Sequence, residues 1–487
     1  MSKPDDPMLT PPAAEARTLD RRDFLTKLTA GAVLAPLATA RVLASGVADP
    51  QLKAPSNLRI VSTGTLTSAS LRYLGAMRVP GDSVDMSYTY GTLTGRKVGA
   101  DVRLLMTGNT VKVVDLYEFA DTGEYAAEYA QAPRMPLVKY WGNIYGSARR
   151  TWRADGSEKV GYPRYPGGIY WNEGTQLLYW VYFDTYNVTG DPDWCLGATR
   201  LDERGSSAFG PWRPSGEGKK GPWRCLQVSQ HPSGALLCGS GVMSGNASSP
   251  WGPDVWAGQF PTSSTPAGFN APDLPITKYL TYYPMVGNIA PDGSFTGPLK
   301  SSRRPGTYIF EPLPVRNSGA AFTEIDPLKN GGIGSWTQMD SISSMCWINL
   351  PDKQGVLFFG RLAGGHVWYR NAGVGNNLCT HGVASPVDIT GPVATASYPS
   401  ILFYDPAALE AVHAGRKTDY TVEAVEMVNA ESMFGLRTAP LNIVGPTKAL
   451  GGSYFDSSRR RLYVAAAQCD DSIPGLLNPL VHVFQIS

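Results

Sequence analysis

The sequence predicts an all-β protein and, within that class, a β-propeller. Three observations carry the prediction. The chain has 53 Gly and 39 Pro among 487 residues, about a fifth of the total against a typical ~12%, so turns are many. Charged residues are only 17%, too few for many long solvent-facing helices, whereas 24 Tyr, 15 Phe and 12 Trp suit half-buried strands. Finally, one hairpin pattern recurs: a short strand, a polar or Gly-rich turn, then a strongly apolar strand. A hydrophobic content of 43% supplies a core and excludes bulk disorder. A net charge of +2 gives no electrostatic ground for a nucleic-acid partner.

Taken in order, the first element is an address. Arg21-Arg22 is followed by Phe24-Leu25 and Lys27, then by a short apolar stretch from Leu28 to Ala40 with small residues at two cleavage candidates, Ala38-Thr39-Ala40 and Val42-Leu43-Ala44. This order resembles the twin-arginine export signal. The resemblance implies a chain handled by the twin-arginine export machinery and a mature protein that is periplasmic or extracellular. Residues 1–44 are therefore read as signal peptide, 45–55 as linker and 56–487 as the propeller domain. No apolar run after the signal approaches the ~20 residues that a membrane-spanning helix needs.

The hairpin copies are 85–95 with 101–108, 167–174 with 175–184, 223–234 with 235–241, 341–355 with 356–365, and 451–460 with 461–467. Third strands are expected at Val111–Phe119, Cys195–Leu201, Val255–Phe260, His366–Arg370 and Leu480–Ile486. The spacing is too irregular for a solenoid and acceptable for a propeller, whose blades tolerate long loops. Five copies predict five blades. The long gap after the third leaves a sixth open, with Tyr279–Pro284 and Gly306–Pro312 as its strands, and a β-sandwich with insertions is the alternative architecture. Residues 57–79 are strand-like and are expected to join the C-terminal strand in one blade, closing the ring. One short helix is expected at Pro406–Ala414, capped by Asp405.

The segments YLGAMRVP, SYTYG, GVLFFGR, ILFYDPAALEAVHAGRK, LGGSYFDSSRRRLYVA and VHVFQIS resemble, in that order, an exported bacterial family of uncharacterised proteins. The resemblance spans about 58–487. Its motifs are strands and turns, so it implies a propeller-like fold and no particular activity. Where that family often reads Phe-Asp-Tyr-Gly-Gly, this chain has Tyr88-Thr89-Tyr90-Gly91-Thr92.

Propeller topology sorts the polar residues. Turns between first and second strands share one face, so Glu173, His231 and Asp352 are explained by turn chemistry. Loops that enter each blade, and those after its second strand, share the other face, where sites gather. The loop entering the second blade is rich in aromatic and basic residues. Trp141, Tyr145, Arg149, Arg150, Arg153, Arg164 and Tyr165, with Tyr186 after the next strand, are the expected ligand-binding set. Aromatic planes stack on sugar rings, and arginine forks pair with carboxylate or sulfate. The four arginines are expected to face the channel mouth with Trp141 and Tyr165.

Two chemistries fit. A lyase needs a His or Tyr base beside an Arg that neutralises the uronate carboxylate, and His366, Tyr369 and Arg361 are close in sequence. A glycoside hydrolase needs two carboxyl groups flanking the bond, with Asp184, Asp340 and Asp471 entering from different blades. The function expected is thus that of an exported carbohydrate-active enzyme on an anionic polysaccharide. A non-catalytic propeller binding glycan, envelope component or protein is the alternative, and a quinone- or metal-dependent oxidoreductase is a third class suggested by the export route. The motifs of serine-hydrolase elbows, phosphate loops and zinc proteases are absent. No cofactor is expected, although Asp470-Asp471 with Asn478 could bind calcium. The six cysteines fit no zinc pattern. Cys225, Cys238 and Cys346 read as buried strand residues, and a Cys379–Cys469 or Cys195–Cys379 bridge stays open.

Overall fold

The computed structural model describes residues 64–80, 86, 92–108, 114–148, 150, 152, 155–158, 164–184, 194–202, 205–215, 225–226, 231, 234, 236–240, 253–280, 341–370, 391–417, 422, 424–437, 449–472 and 478–487, in some stretches by their backbone alone. Contacts divide the chain into residues 1–54 and 55–487, and every described residue belongs to the second unit.

The structure is all-β, in a propeller arrangement. Strands β1 (Gly64–Thr65) and β2 (Leu71–Arg78) come first among the described residues. The first antiparallel sheet holds β3 (Thr94–Val98), β4 (Asp101–Thr107), β5 (Asp115–Ala120) and β6 (Leu137–Asn143) in that order. The second holds β7 (Arg164–Asn172), β8 (Leu177–Asp184), β9 (Leu196–Asp202) and β10 (Gly205–Trp212). The third holds β11 (Cys225–Leu226), β12 (Leu236–Ser240), β13 (Asp254–Gly258) and β14 (Ile276–Leu280). In the fourth, β15 (Ser341–Asn349), β16 (Lys353–Arg370), β17 (Gly391–Tyr404) and β18 (Glu426–Asn429) form the meander, and β1 adds in parallel along Lys353–Gln354. The fifth is β19 (Leu450–Asp456), β20 (Arg461–Asp470), β21 (Asn478–Ile486) and then β2.

Each sheet is apolar on both faces because each packs between two others. One core layer joins the first and second sheets through Leu105, Trp141, Trp171 and Trp180. A larger one runs through the second, third and fourth, around Tyr179, Trp256, Trp347 and Phe358. Two more join the fourth to the fifth and the fifth to the first. The first strands touch in the same sequence, β3 to β7, β7 to β11, β11 to β15, β15 to β19 and β19 to β3. Glycines permit this approach. A Cβ on Gly95 would lie 2.4 Å from the Tyr454 ring, and one on Gly452 would lie 2.2 Å from Leu93 N.

The N-terminal strand β2 pairs antiparallel with β21 from Leu71–Ile486 to Arg78–Leu480. Two short α-helices follow strands of the fourth sheet, the first packing mainly on β14 of the third sheet and the second on β17. Helix α1 (Pro406–His413) has Asp405 accepting from Ala407 N at 2.9 Å, as its sequence predicts, and α2 (Ala430–Phe434) is capped by Asn429.

Two strand expectations are corrected. His366–Arg370 is no third strand but the distal part of the 18-residue β16, pairing with Gly391–Ala394 in a hairpin whose bulge lies between Gly364 and Val367. Glycines at 364–365 were read as a strand end, whereas a glycine pair also accommodates a bulge. Tyr279 belongs to β14, the outer strand of the third sheet, instead of starting a further blade. Gly306–Pro312 lies outside the described residues, as do the signal segment and linker. Cys195, Cys346 and Cys469 are buried, and burial pushes the Cys346 thiol up to about 12.

Candidate functional site

The residues expected to bind ligand are placed as follows. Leu137–Asn143 is strand β6, so Trp141 is an edge-strand residue of the first sheet and the entry loop begins later than expected. Its indole is 8% exposed and donates to Glu118 Oε2 at 2.8 Å. Tyr145 is 1% exposed and packs on Trp180 with ring centroids 4.6 Å apart. Both serve the layer between two sheets and offer no free face for a sugar. Arg150 is exposed, with its guanidinium 3.5 Å from Glu158. Arg149, Arg153 and Tyr186 lie outside the described residues, as do the side chains of Arg164 and Tyr165. The proposed convergence on the channel mouth rests on those residues.

Of the expected catalytic residues, Asp184 is opposite Arg164 of the expected binding set across β7 and β8. Arg361 and Tyr369 share β16, eight residues apart, which is roughly 25 Å of extended strand. Sequence proximity therefore does not make them one lyase group, because an extended strand separates what a helix would bring together. The side chains of His366 and Tyr369, and Asp340 altogether, lie outside the described residues. Asp471 pairs with Arg437 at 2.7 Å, Asp470 accepts from Tyr129 and from Ser472 N, and Asn478 Oδ1 accepts from Met86 N. Among the described residues no group of three or more His, Cys, Asp or Glu side chains is arranged to hold a metal.

The most connected charged cluster is on the opposite face, where the first strands of three sheets end. Lys97 is the hinge. Its backbone N–H donates to Glu173 Oε1 at 2.9 Å, so the turn of the second sheet reaches the first. Its Nζ lies 3.2 Å from Asp456 Oδ1 of the fifth sheet and 2.6 Å from Ser458 Oγ. Asp456 is 0% exposed, whereas the Lys97 side chain is 42% exposed. Burial pushes the Asp456 carboxyl up, but the hydrogen bonds from Ser458 and Lys97 outweigh it and hold the group below the usual carboxylate range. It stays ionised. Asp456 Oδ2 makes no hydrogen bond among the described residues, with Arg459 Nε 3.7 Å away.

Tyr454 lies over Gly95, and the charges of Asp456 and Glu173 both act on its phenol. Burial holds the Tyr454 and Tyr170 hydroxyls far above the ordinary phenol value, so both remain neutral hydrogen-bonding groups. The arrangement presents two carboxylates from different sheets, a lysine between them and neutral phenols beside them. Sequence reasoning assigned Glu173 to turn chemistry, which it does perform through Gln176. Its reach to Lys97 has no signal in a single sequence.

Behind this cluster is a second one. Glu118, 2% exposed, takes a bidentate bond from Arg96 at 2.7–3.0 Å, and the guanidinium sits 5.3 Å from both the Trp141 and Trp171 rings. Farther round, Asp121 accepts from Tyr463 at 2.9 Å, Tyr125 at 3.0 Å and Arg459 at 3.2 Å, tying the first sheet to the fifth.

No known family pattern and no curated protein sequence matches the chain. Solved structures similar to it include a candidate glycoside hydrolase from Parabacteroides distasonis, at 9% identity and TM-score 0.37, covering 86% of this chain and 99% of that one. Another candidate glycoside hydrolase, from Bacteroides ovatus, has 9% identity and TM-score 0.34, covering 85% and 96%. The α-L-arabinofuranosidase of Podospora anserina in complex with cellotriose has 9% identity and TM-score 0.32, again covering 85% and 96%. At such identities and TM-scores these likenesses assign no activity to this chain.

Proposed function

We propose that the chain is a closed five-bladed propeller, exported by the twin-arginine route, that acts on a glycan as a hydrolase. The observation that carries the catalytic part is the meeting of Glu173 and Asp456, from two blades, on Lys97 of a third. Cleavage of a glycosidic bond uses a pair of carboxyl groups with separate protonation roles. Asp456, held ionised, supplies the negative charge that stabilises a developing oxocarbenium ion; the exposed Glu173 gives its proton to the leaving oxygen as the glycosidic bond breaks, and water adds at the anomeric carbon and returns a proton to the Glu173 carboxylate. The phenols of Tyr454 and Tyr170 donate to sugar hydroxyls. Cyclic contact of the five first strands and the β2–β21 pairing support the closed ring. An anionic polysaccharide remains the substrate reading drawn from the arginine-rich entry loop.

The test is reducing-end release across neutral and acidic glycans. Glu173→Gln is expected to lower kcat by about 10²–10⁴-fold with the thermal midpoint little changed, since Gln keeps an acceptor for Lys97 N. Full activity of that variant overturns the assignment. The Asx-type bonds from Ser458 to Asp456 favour a second reading, a non-catalytic glycan-binding propeller, in which these carboxylates only shape turns. Binding without turnover on the whole panel selects it. For export, replacing Arg21-Arg22 by Lys-Lys is expected to leave precursor in the cytoplasm, and unaltered fractionation of that variant overturns the route.

A further inference from the structure

The seam between the first two sheets holds donors without an acceptor among the described residues. Trp171 is 3% exposed, and its Nε1–H finds no acceptor among the described residues. A buried indole N–H without an acceptor costs free energy, and such groups are rare in native structures. Beside it is Arg96, whose Nε and Nη2 are spent on Glu118. Nη1 has no partner among the described residues, and the side chain is 17% exposed, which leaves an approach from solvent. The charge count is also uneven. Lys139 stands 3.7 Å from the Trp141 ring centroid with no carboxylate partner among the described residues, so Arg96 and Lys139 face a single carboxylate, Glu118.

Two donors without acceptors among the described residues, one excess positive charge and two indole rings within 5.3 Å of one guanidinium suit one small planar anion. We propose that this seam binds the carboxylate of a uronic acid residue, one oxygen taking Arg96 Nη1–H and the other Trp171 Nε1–H. The inference rests on the glycan reading above and names its substrate class. It is built on the two strands that carry the Lys97–Glu173 contact: Arg96 and Lys97 are successive on β3, with their side chains on opposite faces of the sheet, and Trp171 is two residues before Glu173. It uses none of the entry-loop arginines.

The probe is sodium D-glucuronate, read by the indole N–H resonances of ¹⁵N-tryptophan-labelled protein, with D-glucose and D-glucose 6-sulfate as controls. One indole resonance is expected to move with glucuronate and not with glucose, and to be missing in Trp171→Phe. That variant is expected to bind glucuronate about tenfold more weakly, the cost of one hydrogen bond to a charged group. An indole spectrum unmoved at saturating glucuronate, or moved equally by glucose, overturns the site, and movement by the sulfate alone overturns the carboxylate assignment. If Trp171→Phe fails to fold, a crystal of the wild-type chain with glucuronate decides: the carboxylate is on Trp171 Nε1 and Arg96 Nη1, or the proposal fails. Loss of hydrolysis in Glu173→Gln with an unmoved indole removes this site and leaves the hydrolase. A glucuronate-shifted indole in a protein inert on every glycan does the reverse.

Discussion

His482 shows how much one buried residue can decide. Its Nε2 meets the Arg437 carbonyl at 3.1 Å and its Nδ1 the Tyr73 hydroxyl at 2.9 Å. A carbonyl only accepts, so Nε2 carries the proton and Nδ1 accepts from the phenol. The neutral ring thereby ties β21 to β2 and to the segment after α2. Burial holds its pKa at about 4 against an ordinary 6.5. The unfolded chain therefore takes up a proton first as pH falls. The contribution is complete above about pH 6.5, is lost progressively down to about pH 4 and changes no further below it, amounting to about 3 kcal/mol. Unfolding midpoints between pH 7 and 4.5 are expected to fall in the wild type and to fall less steeply in His482→Gln; parallel slopes would remove His482 as the cause. In sequence this residue was only part of a C-terminal strand. Glu118 was more legible than it was read to be: in Leu116-Tyr-Glu-Phe119 it occupies a strand interior, where an acid demands a cationic partner. Which partner, Arg96, depended on the neighbouring strand.

At the scale of elements, alternation and turn residues located most strands to within a few positions, and the Asp405 cap and Pro406 start marked α1. The misread elements share a cause. Trp141 was assigned to a binding loop because aromatic density is the same for a sugar platform and for an edge strand packed on its neighbour. His366–Arg370 was separated from β16 because Gly364-Gly365 resembles a turn. Glycine matters differently on β3. Gly95 is there because the Tyr454 ring occupies the place of a side chain. Gly95→Ala is expected to cost about 1–3 kcal/mol by overpacking, to displace Tyr454 and to lower activity with it. Denaturant unfolding at unchanged m-value checks the cost, and a neutral outcome would mean that the two first strands separate freely.

At the scale of the whole molecule, the pairing of β2 with β21 joins the two ends of the described chain in one sheet. Remove β2 and β21 becomes an open edge, apolar on both faces, with Val481, Val483 and Phe484 buried only by their neighbours. A chain starting after Arg78 is expected to aggregate, because an unpaired apolar edge templates pairing with another chain. Size-exclusion chromatography reads the result, and a monodisperse monomer would show that the ends contribute little to closure.

Composition and period settled the class of structure, the recurrence of a hairpin and the joining of the N-terminal segment, through β2, to the last strand, because these follow from local rules: two-residue alternation, turn chemistry, and the need to hide an edge. The chain could not announce which side chains share a site. Lys97, Glu173 and Asp456 span 359 positions and meet only because three sheets bring their first-strand ends together. The same holds for Arg96 with Trp171. Burial and partner choice are properties of two surfaces at once, and only packing places both surfaces in the same few ångströms.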